Sequence, residues 1–280
     1  MIISIAVCIV GVCFMTINGF NLDIDFAGGT SITFNAGQPV DQAESAEITN
    51  RTLGFSASSI QLNAENSNEV TIKTKTIESS VSEQLLSALR TRYGLAEDYS
   101  DYSVASFAPA YGHQLAQEAL IAVGIAVALI LIYITIRFEW LSGICAVLAL
   151  IHDVFIMVSV YAIFRVPVNA SFIAVVLTIL GYSINNTIVV FDRIRENKKL
   201  SETESTEDIA DKSVSQTLGR SVNTTLTTFV VVAVLYVLGV DSIKEFALPL
   251  MVGIVCGAYS SVCLTGALWH TMKTKLGKDA

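Results

Sequence analysis

Six long apolar runs alternate with polar stretches along the chain, and they predict membrane-spanning helices. A helix needs about 20 residues to cross roughly 30 Å of hydrocarbon, and most of the runs approach or exceed that length. The fifth run is short, and the polar residues 221–225 before it are expected to lengthen its helix. The six runs cover residues 2–20, 116–136, 141–164, 171–190, 224–238 and 246–268.

The first run is expected to remain on the protein as an uncleaved anchor over residues 1–20. It has no basic segment before its apolar centre and no clear small-residue cleavage site after it, which a secretory signal would have. The other five runs predict a helical bundle over residues 114–270, with a cytoplasmic loop at 192–220 and a cytoplasmic tail at 271–280.

The segment 21–113 is polar enough to fold in water. Small polar and apolar residues alternate at 30–34, as they do in a strand. The segment 41–53 suits a short helix, the amphipathic stretch 77–93 predicts another, and three further stretches predict strands. The resulting order, strand–helix–strand–strand–helix–strand, indicates a small ferredoxin-like α+β domain. The predicted elements are 30–34, 41–53, 59–62, 70–75, 77–93 and 102–107, with a turn at 63–68.

Composition and charge agree with a membrane protein. The chain is 52% hydrophobic and 15% charged, which is too apolar for an ordinary soluble domain. Its formal net charge of -8 argues against a nucleic-acid partner. Loops rich in Lys and Arg usually stay in the cytoplasm. They predict cytoplasmic termini and an extracytoplasmic segment 21–113, because most cations follow the second, fourth and sixth runs.

The short motifs do not indicate an enzyme. Gly-x-Ser-x-Gly, His-Glu-x-x-His and Walker sequences are absent. The 3 histidines lie far apart, and the 5 cysteines lie in apolar runs without metal-ligand spacing. Gly28 and Gly29 are followed by no phosphate-loop lysine and are expected to turn the chain from the first helix into a strand. We therefore expect no catalytic residue, cofactor or metal.

Polar residues lie inside the apolar runs, where they are costly unless paired or hydrated. His152 and Asp153, midway along the third run, are consistent with a proton pathway or with a structural hydrogen bond. Thr178, Tyr182 and Asn186 recur at a spacing of four, so they share one helix face. This arrangement favours a role for the face as one wall of a hydrated path. The alternative is that its side chains form hydrogen bonds to neighbouring helices.

Charged residues mark the ends of the fourth and fifth runs. Arg220 shares a helix face with Thr224 and Thr227, and taken alone it is most simply an anchor at the membrane boundary. Four residues after the fourth run predict an interfacial charge cluster, namely Asp192, Arg193, Arg195 and Glu196.

These residues also carry a resemblance to a known family. Several stretches match in order over nearly the whole chain, and the combination is specific although each piece is modest. Together they resemble the SecD/SecF family, and within it the SecF subunits that assist the Sec protein translocase. The matching stretches are 23–30, 150–154, 179–185, 187–197, 216–221, 225–228 and 253–261.

The resemblance implies six spans and an extracytoplasmic domain between the first two. It implies a SecD-like partner whose six spans pair pseudo-symmetrically with these, and association with SecYEG, YajC or YidC. The family belongs with RND-type exporters. Its members are expected to use a proton or sodium gradient to complete polypeptide translocation across the bacterial or archaeal cytoplasmic membrane. Segment 21–113 would contact the translocating chain.

The fourth run departs from the family pattern at one position. The usual sequence is Ser-x-Asn-Asp-Thr, and Asn186 stands where the family has its expected proton carrier. An amide does not titrate, whereas the family's partner arginine is matched by Arg220. Three explanations stay open: a substitution that traps one state, a natural variant that couples through Asp153 or SecD carboxylates, and an uncoupled scaffold. Asn186, Arg220 and Asp153 are expected to line the ion path, with Asn185 and Thr187 nearby.

Two other classes of function are alternatives to an export subunit. An RND-like half-transporter for lipids or small molecules would need a large apolar cleft. A purely structural assembly subunit predicts that Arg220→Ala leaves export unchanged. The ordered motifs and the charge asymmetry favour the SecF-like subunit.

Overall fold

The chain folds into a helical bundle and a smaller α+β domain inserted after the first helix. The coordinates are a computed structural model that describes residues 2–62, 68–95, 101–200 and 204–276. The predicted turn at 63–68 lies outside the described residues except for its last residue. The predicted tail at 271–280 is helical as far as Leu276, and the rest of it also lies outside them.

Ten α-helices, one π-helical turn and six strands follow one another in the described ranges. In chain order they are α1 (Ile2–Asn18), β1 (Asn21–Leu22), α2 (Ile24–Ala27), β2 (Gly29–Asn35), α3 (Gln42–Leu53), β3 (Ser59–Leu62), β4 (Glu69–Thr74), α4 (Ser79–Tyr93), β5 (Tyr102–Phe107), α5 (Pro109–Arg137), α6 (Trp140–Ile163), β6 (Pro167–Val168), α7 (Ser171–Leu200), α8 (Thr206–Leu238), α9 (Asp241–Tyr259), the π-turn (Ser260–Leu264) and α10 (Thr265–Leu276).

The inserted domain is an antiparallel sheet covered by two helices. Its strand order is β3-β4-β2-β5, and from β2 to β5 the chain order of strands and helices is the one predicted. The short elements β1 and α2, which precede β2, were not predicted. Ile32 and Phe34 point into the core, where they meet Leu85 and Leu89 of α4. Thr33 points to the other face of the sheet. This alternation is the period-two pattern read from the sequence.

Two adjacent glycines make the turn that leads into the sheet. Gly28 has φ of +76°, which is easy for glycine and strained for other residues, and it ends α2. Gly29 begins β2, and a Cβ atom there would lie 2.3 Å from the carbonyl oxygen of Thr74. The glycines are therefore required by the backbone turn and by close strand packing. They turn the chain into a strand as expected, but from the short helix α2 and not from the first helix, which ends at Asn18.

The inserted domain is fixed to the bundle by a polar seam. Strand β1 pairs in parallel with β6 in the α6–α7 connection. The buried carboxylate of Asp23 forms an ion pair with Lys73 of β4 at 2.5 Å. Gln61 of β3 donates to the Oε1 atom of Glu245 on α9 at 2.7 Å, and Asn169 donates to its Oε2 atom at 3.2 Å. The seam joins the sheet directly to the start of α9.

Most of the bundle has the length and composition of membrane spans. Within the described residues, five helices are long and apolar enough to cross a membrane. Helix α1 is shorter, with 17 residues, and packs along α6 with Gly11 facing Ser159. The core is formed largely by α6, α7 and α9, whereas α5 and α8 expose most of their apolar side chains.

The segment 192–220, predicted as a cytoplasmic loop between two spans, is helical over most of its length. Helix α7 continues to Leu200 and α8 begins at Thr206, so both helices extend well beyond the apolar runs. The charged residues here include Lys, Arg and Glu, which are good helix formers in water. Ser205 caps α8 by accepting a hydrogen bond from the backbone N–H of Asp208. The apolar runs end at 190 and begin again at 224, but the core continues between them through buried residues such as Ile194 and Ile209.

Candidate functional site

A buried carboxylate lies at the contact of α6, α7 and α9. The side chain of Asp153 is fully buried, and its Oδ2 atom accepts hydrogen bonds from Ser183 at 2.5 Å and Ser260 at 2.6 Å. Its Oδ1 atom lies 3.3 Å from the Sγ atom of Cys256 and 2.9 Å from the Nδ1 atom of His152. We call these five residues the Asp153 cluster. Every helix of the central core contributes to it.

A π-helical turn between α9 and α10 places two serine hydroxyl groups close to the cluster. The π-turn begins at Ser260, directly after α9. Such turns contain one extra residue and occur often at functional sites. Here the turn exposes hydroxyl groups to two neighbouring helices: Ser260 donates to Asp153, and Ser261 lies 3.2 Å from the hydroxyl of Thr187. The polar network therefore extends from α6 through the π-turn to Thr187 of α7.

A second polar feature is an open cleft of about 610 Å³ between the last turns of α5, the second half of α7 and the middle of α8. Asn185 and Arg220 both line it, together with Asp192, Arg193 and Glu196 of the predicted charge cluster. Arg220 forms no ion pair with any residue that the structure describes. We call this space the Arg220 cleft. Its walls are mostly polar, as an aqueous entrance to a bundle would require.

All four residues of the predicted charge cluster form ion pairs. Arg193 donates to Glu196 at 2.6 Å and to Gln216 of α8 at 2.6 Å, which ties the end of α7 to α8. Arg195 and Asp192 are 3.2 Å apart. However, Arg195 does not line the Arg220 cleft. It lines a separate cleft on the other side of α7.

The structure divides the predicted path residues into two groups. Asp153 and Thr187 belong to the buried network, and Asn185 and Arg220 belong to the open cleft. Asn186 is only 3% exposed, and its Nδ2 atom has no hydrogen-bond partner in the described part of the chain. Among the described contacts, no hydrogen bond joins Asn186 to Arg220. Position 186 thus lies inside the bundle, one residue from the wall of the cleft.

Sequence reasoning assigned no role to three members of the Asp153 cluster, namely Ser183, Cys256 and Ser260. Cys256 was one of the cysteines in apolar runs without metal-ligand spacing, and Ser183 and Ser260 were parts of matching stretches without an assigned role. The potential metal-ligand atoms of His152, Asp153 and Cys256 lie within 4.8 Å of one another. The sequence spacing gave no indication of this grouping. The available signal was the Gly253–Gly257 pair, because small residues bring α9 close to α7.

Substitution of Gly257 tests how closely α9 must approach α7 at this cluster. A Cβ atom at Gly257 would lie 3.1 Å from the Cβ and 3.3 Å from the Cα of Ser183, whereas one at Gly181 would meet nothing within 4 Å. Alanine favours a helix over glycine by roughly 1 kcal/mol. We expect Gly181→Ala to raise the free energy of unfolding by that amount. Gly257→Ala should not raise it, because the added methyl group would crowd Ser183, so this variant should be about 1–2 kcal/mol less stable than Gly181→Ala. Thermal unfolding in a mild detergent measures the difference, and equal stabilities would contradict the close packing.

The fold and the buried network define a polytopic helical membrane protein with an inserted α+β domain. The family model described as "Protein export membrane protein SecD/SecF, C-terminal" matches residues 87–275, and the model described as "SecD/SecF GG Motif" matches residues 14–40. The chain therefore belongs to the SecD/SecF family. It is a SecF-like subunit of the Sec protein-export machinery.

Relatives support this placement over the full chain. The protein translocase subunit SecF of Alicyclobacillus acidocaldarius is 35% identical over 100% of this chain and 92% of its own length. SecDF of Bacillus subtilis is 36% identical over 100% of this chain and 38% of its own length. A crystal structure of SecDF from Thermus thermophilus matches with a TM-score of 0.81 and 32% identity, over 97% of this chain and 37% of that chain.

Proposed function

We propose that this subunit couples an ion gradient to polypeptide export through Asp153. The observation that carries the proposal is a fully buried carboxylate held between three helices by donors from two of them. Ionisable groups at membrane depth are costly and are typically found on ion pathways. Since Asn186 cannot titrate, Asp153 is the group in the bundle best suited to carry the coupled charge. The ion is a proton or sodium.

A change of protonation would alter the contacts between these helices. An ionised carboxylate only accepts hydrogen bonds, whereas a protonated one also donates. Protonation of Asp153 would therefore compete with the hydrogen bonds from Ser183 and Ser260. Loss of either bond weakens the contact of α6 with α7 or with the π-turn. A group whose charge differs between two arrangements is what ion coupling needs.

The Arg220 cleft supplies the aqueous end of the proposed path. It is lined by polar and charged residues, and Asn185 on its wall is next in sequence to buried Asn186. Thr187 continues the path inward through Ser261 toward the Asp153 cluster. In this arrangement Arg220 lies at the entrance and adjusts the local potential, and Asn186 lies between the two polar regions.

Helix α9 would transmit the change to the outer domain. Its end carries Cys256 beside Asp153, and its first turns carry Glu245, which accepts from Gln61 of the sheet. These positions are 11 residues apart, or about 16 Å along a helix. A shift of α9 at one end therefore acts on the seam at the other. We propose that the domain moves on the bundle in this way while it contacts the exported polypeptide.

The proposed topology has six spans and cytoplasmic termini. The packing of α1 along α6 supports α1 as the first span despite its length. The strand order β3-β4-β2-β5 and the two covering helices support a ferredoxin-like domain on the extracytoplasmic side. Fused SecDF relatives support a SecD-like partner, and the exposed apolar faces of α5 and α8 are suited to its helices. Contacts with SecYEG, YajC or YidC would be made by the assembled complex.

Labelling of introduced cysteines tests the topology. Ser87→Cys lies on exposed α4 of the inserted domain, and Ser215→Cys lies on exposed α8 near the predicted cytoplasmic end. We expect a membrane-impermeant maleimide to label Ser87→Cys from outside intact cells and to label Ser215→Cys only after permeabilisation. The native cysteines lie in apolar helices, and the parent chain measures their background. The reverse pattern would rule out the proposed orientation.

A translocation assay tests the function itself. Vesicles would contain SecYEG, a SecD-like subunit and this chain, and late-stage translocation would be followed after SecA has been removed. We expect a gradient to accelerate completion only when this chain is present, and an ionophore to abolish the gain. Vesicles without this chain are the control. An equal response in both kinds of vesicle would refute coupling through the subunit.

One feature of the bundle favours a second candidate, export of lipids or small molecules. A wholly apolar cleft of about 520 Å³ lies beside α1, α6, α8 and α9. In contrast, the cleft in the outer domain is polar and measures about 380 Å³, which suits an extended peptide better than a lipid. The full-length relationship to translocase subunits favours polypeptide as the substrate. Transport of a labelled lipid by this chain in the same vesicles would favour the second candidate.

A further inference from the structure

A basic cleft of about 430 Å³ opens where two membrane helices are joined. It lies at the short connection between α5 and α6, against the last turns of α7 and the middle of α10. A connection between two spans lies at the level of the lipid headgroups on either side of a membrane. The location of the cleft therefore does not depend on the orientation of the protein or on the proposed coupling. Its lining includes Arg137, Phe138, Glu139, Arg195, Lys199 and Trp269.

The rim of this cleft has more cations than its carboxylates can neutralise. Glu139 pairs with Lys198 and, at 2.8 Å, with Lys273. Burial alone would raise the pKa of Glu139, but hydrogen bonds and charge from these lysines lower it below its usual value. Glu139 therefore stays ionised, and its single negative charge is already paired with those two lysines.

Of the three further cations that line the cleft, two pair with one carboxylate and the third has no ion pair with a described residue. Arg137 and Arg195 lie 3.6 Å and 3.2 Å from the same Oδ1 atom of Asp192. Lys199 also lines the cleft and forms no ion pair with any described residue. The rim thus keeps a net positive charge that a ligand could neutralise.

The floor of the basic cleft is apolar. Phe191, Ile194 and Trp269 are at most 3% exposed and close its inner side. Phe138 lies beneath the rim, with the guanidinium carbons of Arg137 and Arg195 at 5.7 Å and 5.5 Å from its ring centre. This ring holds the two guanidinium groups over an apolar surface. A cationic rim above an apolar floor is suited to an amphiphile more than to a freely soluble anion.

We propose that the basic cleft binds the phosphate of an anionic phospholipid headgroup. Arg137, Arg195 and Lys199 would contact the phosphate, and the upper acyl chain would lie on the floor formed by Phe191 and Trp269. Basic pockets between membrane helices at the headgroup level are known to select anionic lipids. The negative lipid would also relieve repulsion among the cations that join the end of α7 to α5. This site is separate from the Asp153 cluster.

Fluorescence of Trp269 provides a direct test. The chain has 2 tryptophans, so Trp140→Phe leaves Trp269 as the only one. The purified protein in neutral detergent would be titrated with phosphatidylglycerol brominated on its acyl chains, with brominated phosphatidylcholine in parallel. We expect saturable quenching by the anionic lipid and little by the zwitterionic one. Lys199→Glu should lower the affinity for the anionic lipid by roughly 30-fold, because the cleft loses one cation and gains one anion.

Control measurements separate the alternatives. Lys244→Glu changes a lysine at the start of α9, far along the chain from the cleft, and should leave quenching unchanged. Thermal unfolding of Lys199→Glu should match that of the parent, since Lys199 makes no described ion pair. Equal quenching by both lipids would mean a non-selective annular contact and would overturn the proposal. Full displacement by inorganic phosphate at equal concentration, or unchanged binding in Lys199→Glu, would overturn it as well.

Discussion

Replacing Asp153 by asparagine is expected to abolish the response of polypeptide translocation to an ion gradient. The ratio of late-stage rates with and without the gradient should fall to about 1, because an amide cannot change charge between two arrangements. Asparagine has the same shape as aspartate, and its oxygen can still accept from Ser183 or Ser260. The variant is therefore expected to fold and to assemble with its partner.

Two comparisons distinguish coupling from folding in this experiment. Glu118→Gln removes a carboxylate from an exposed site on α5 and should keep the full gradient response. Asp153→Ala removes the acceptor altogether and leaves buried hydroxyl donors unsatisfied, so it should lose about 1–3 kcal/mol of stability. A full gradient response in Asp153→Asn would show that the Asp153 cluster is structural, and the partner's carboxylates would then be the coupling groups.

Replacing Asn186 by aspartate is expected to strengthen the gradient response. The new carboxylate would be nearly buried, where an ionised group costs about 3 kcal/mol unless it is paired or protonated. Arg220 lines the adjacent cleft and has no ion-pair partner in the described residues, so it is the cation available to the new carboxylate. A carboxylate that alternates between pairing with Arg220 and binding a proton would add a second coupled step.

The role of Arg220 in this gain is tested by a double variant. Asn186→Asp with Arg220→Gln should lose the added response and keep the response carried by Asp153. Asn223→Asp makes the same chemical change at an exposed position of α8 and should add no gradient dependence. The assay is again late-stage translocation with and without an ionophore. If Asn186→Asp behaves like the parent, position 186 is not on the ion path, and the present asparagine has no bearing on coupling.

The inserted domain shows how far local pattern can go. The strands Ser59–Leu62 and Tyr102–Phe107 begin and end where the alternation predicted, and the helix Ser79–Tyr93 ends at the predicted residue. Each of these boundaries coincides with a change in side-chain pattern or with a glycine such as Gly94. In the bundle the boundaries were less well predicted. Helices α7 and α8 continue beyond the apolar runs, where buried residues such as Ile194 and Ile209 are separated by charged ones, so the length of an apolar run does not mark the helix end.

The sequence by itself determined the class of protein, because bilayer thickness and the cost of buried charge act directly on composition and on run length. It also determined the order of elements in the inserted domain and singled out Asp153, Asn186 and Arg220 as unusual residues. These are properties of single segments, and neighbouring residues in the chain are enough to reveal them.

Only the tertiary structure decided which of these residues meet. Cys256 lies 103 residues from Asp153 in sequence, yet their side chains are 3.3 Å apart. Asn185 and Asn186 are adjacent, yet one lines an open cleft and the other is buried. Helical periodicity gives the relative direction of side chains on one helix. The packing of that helix against others, here through Gly257 and the π-turn, decides what each direction faces.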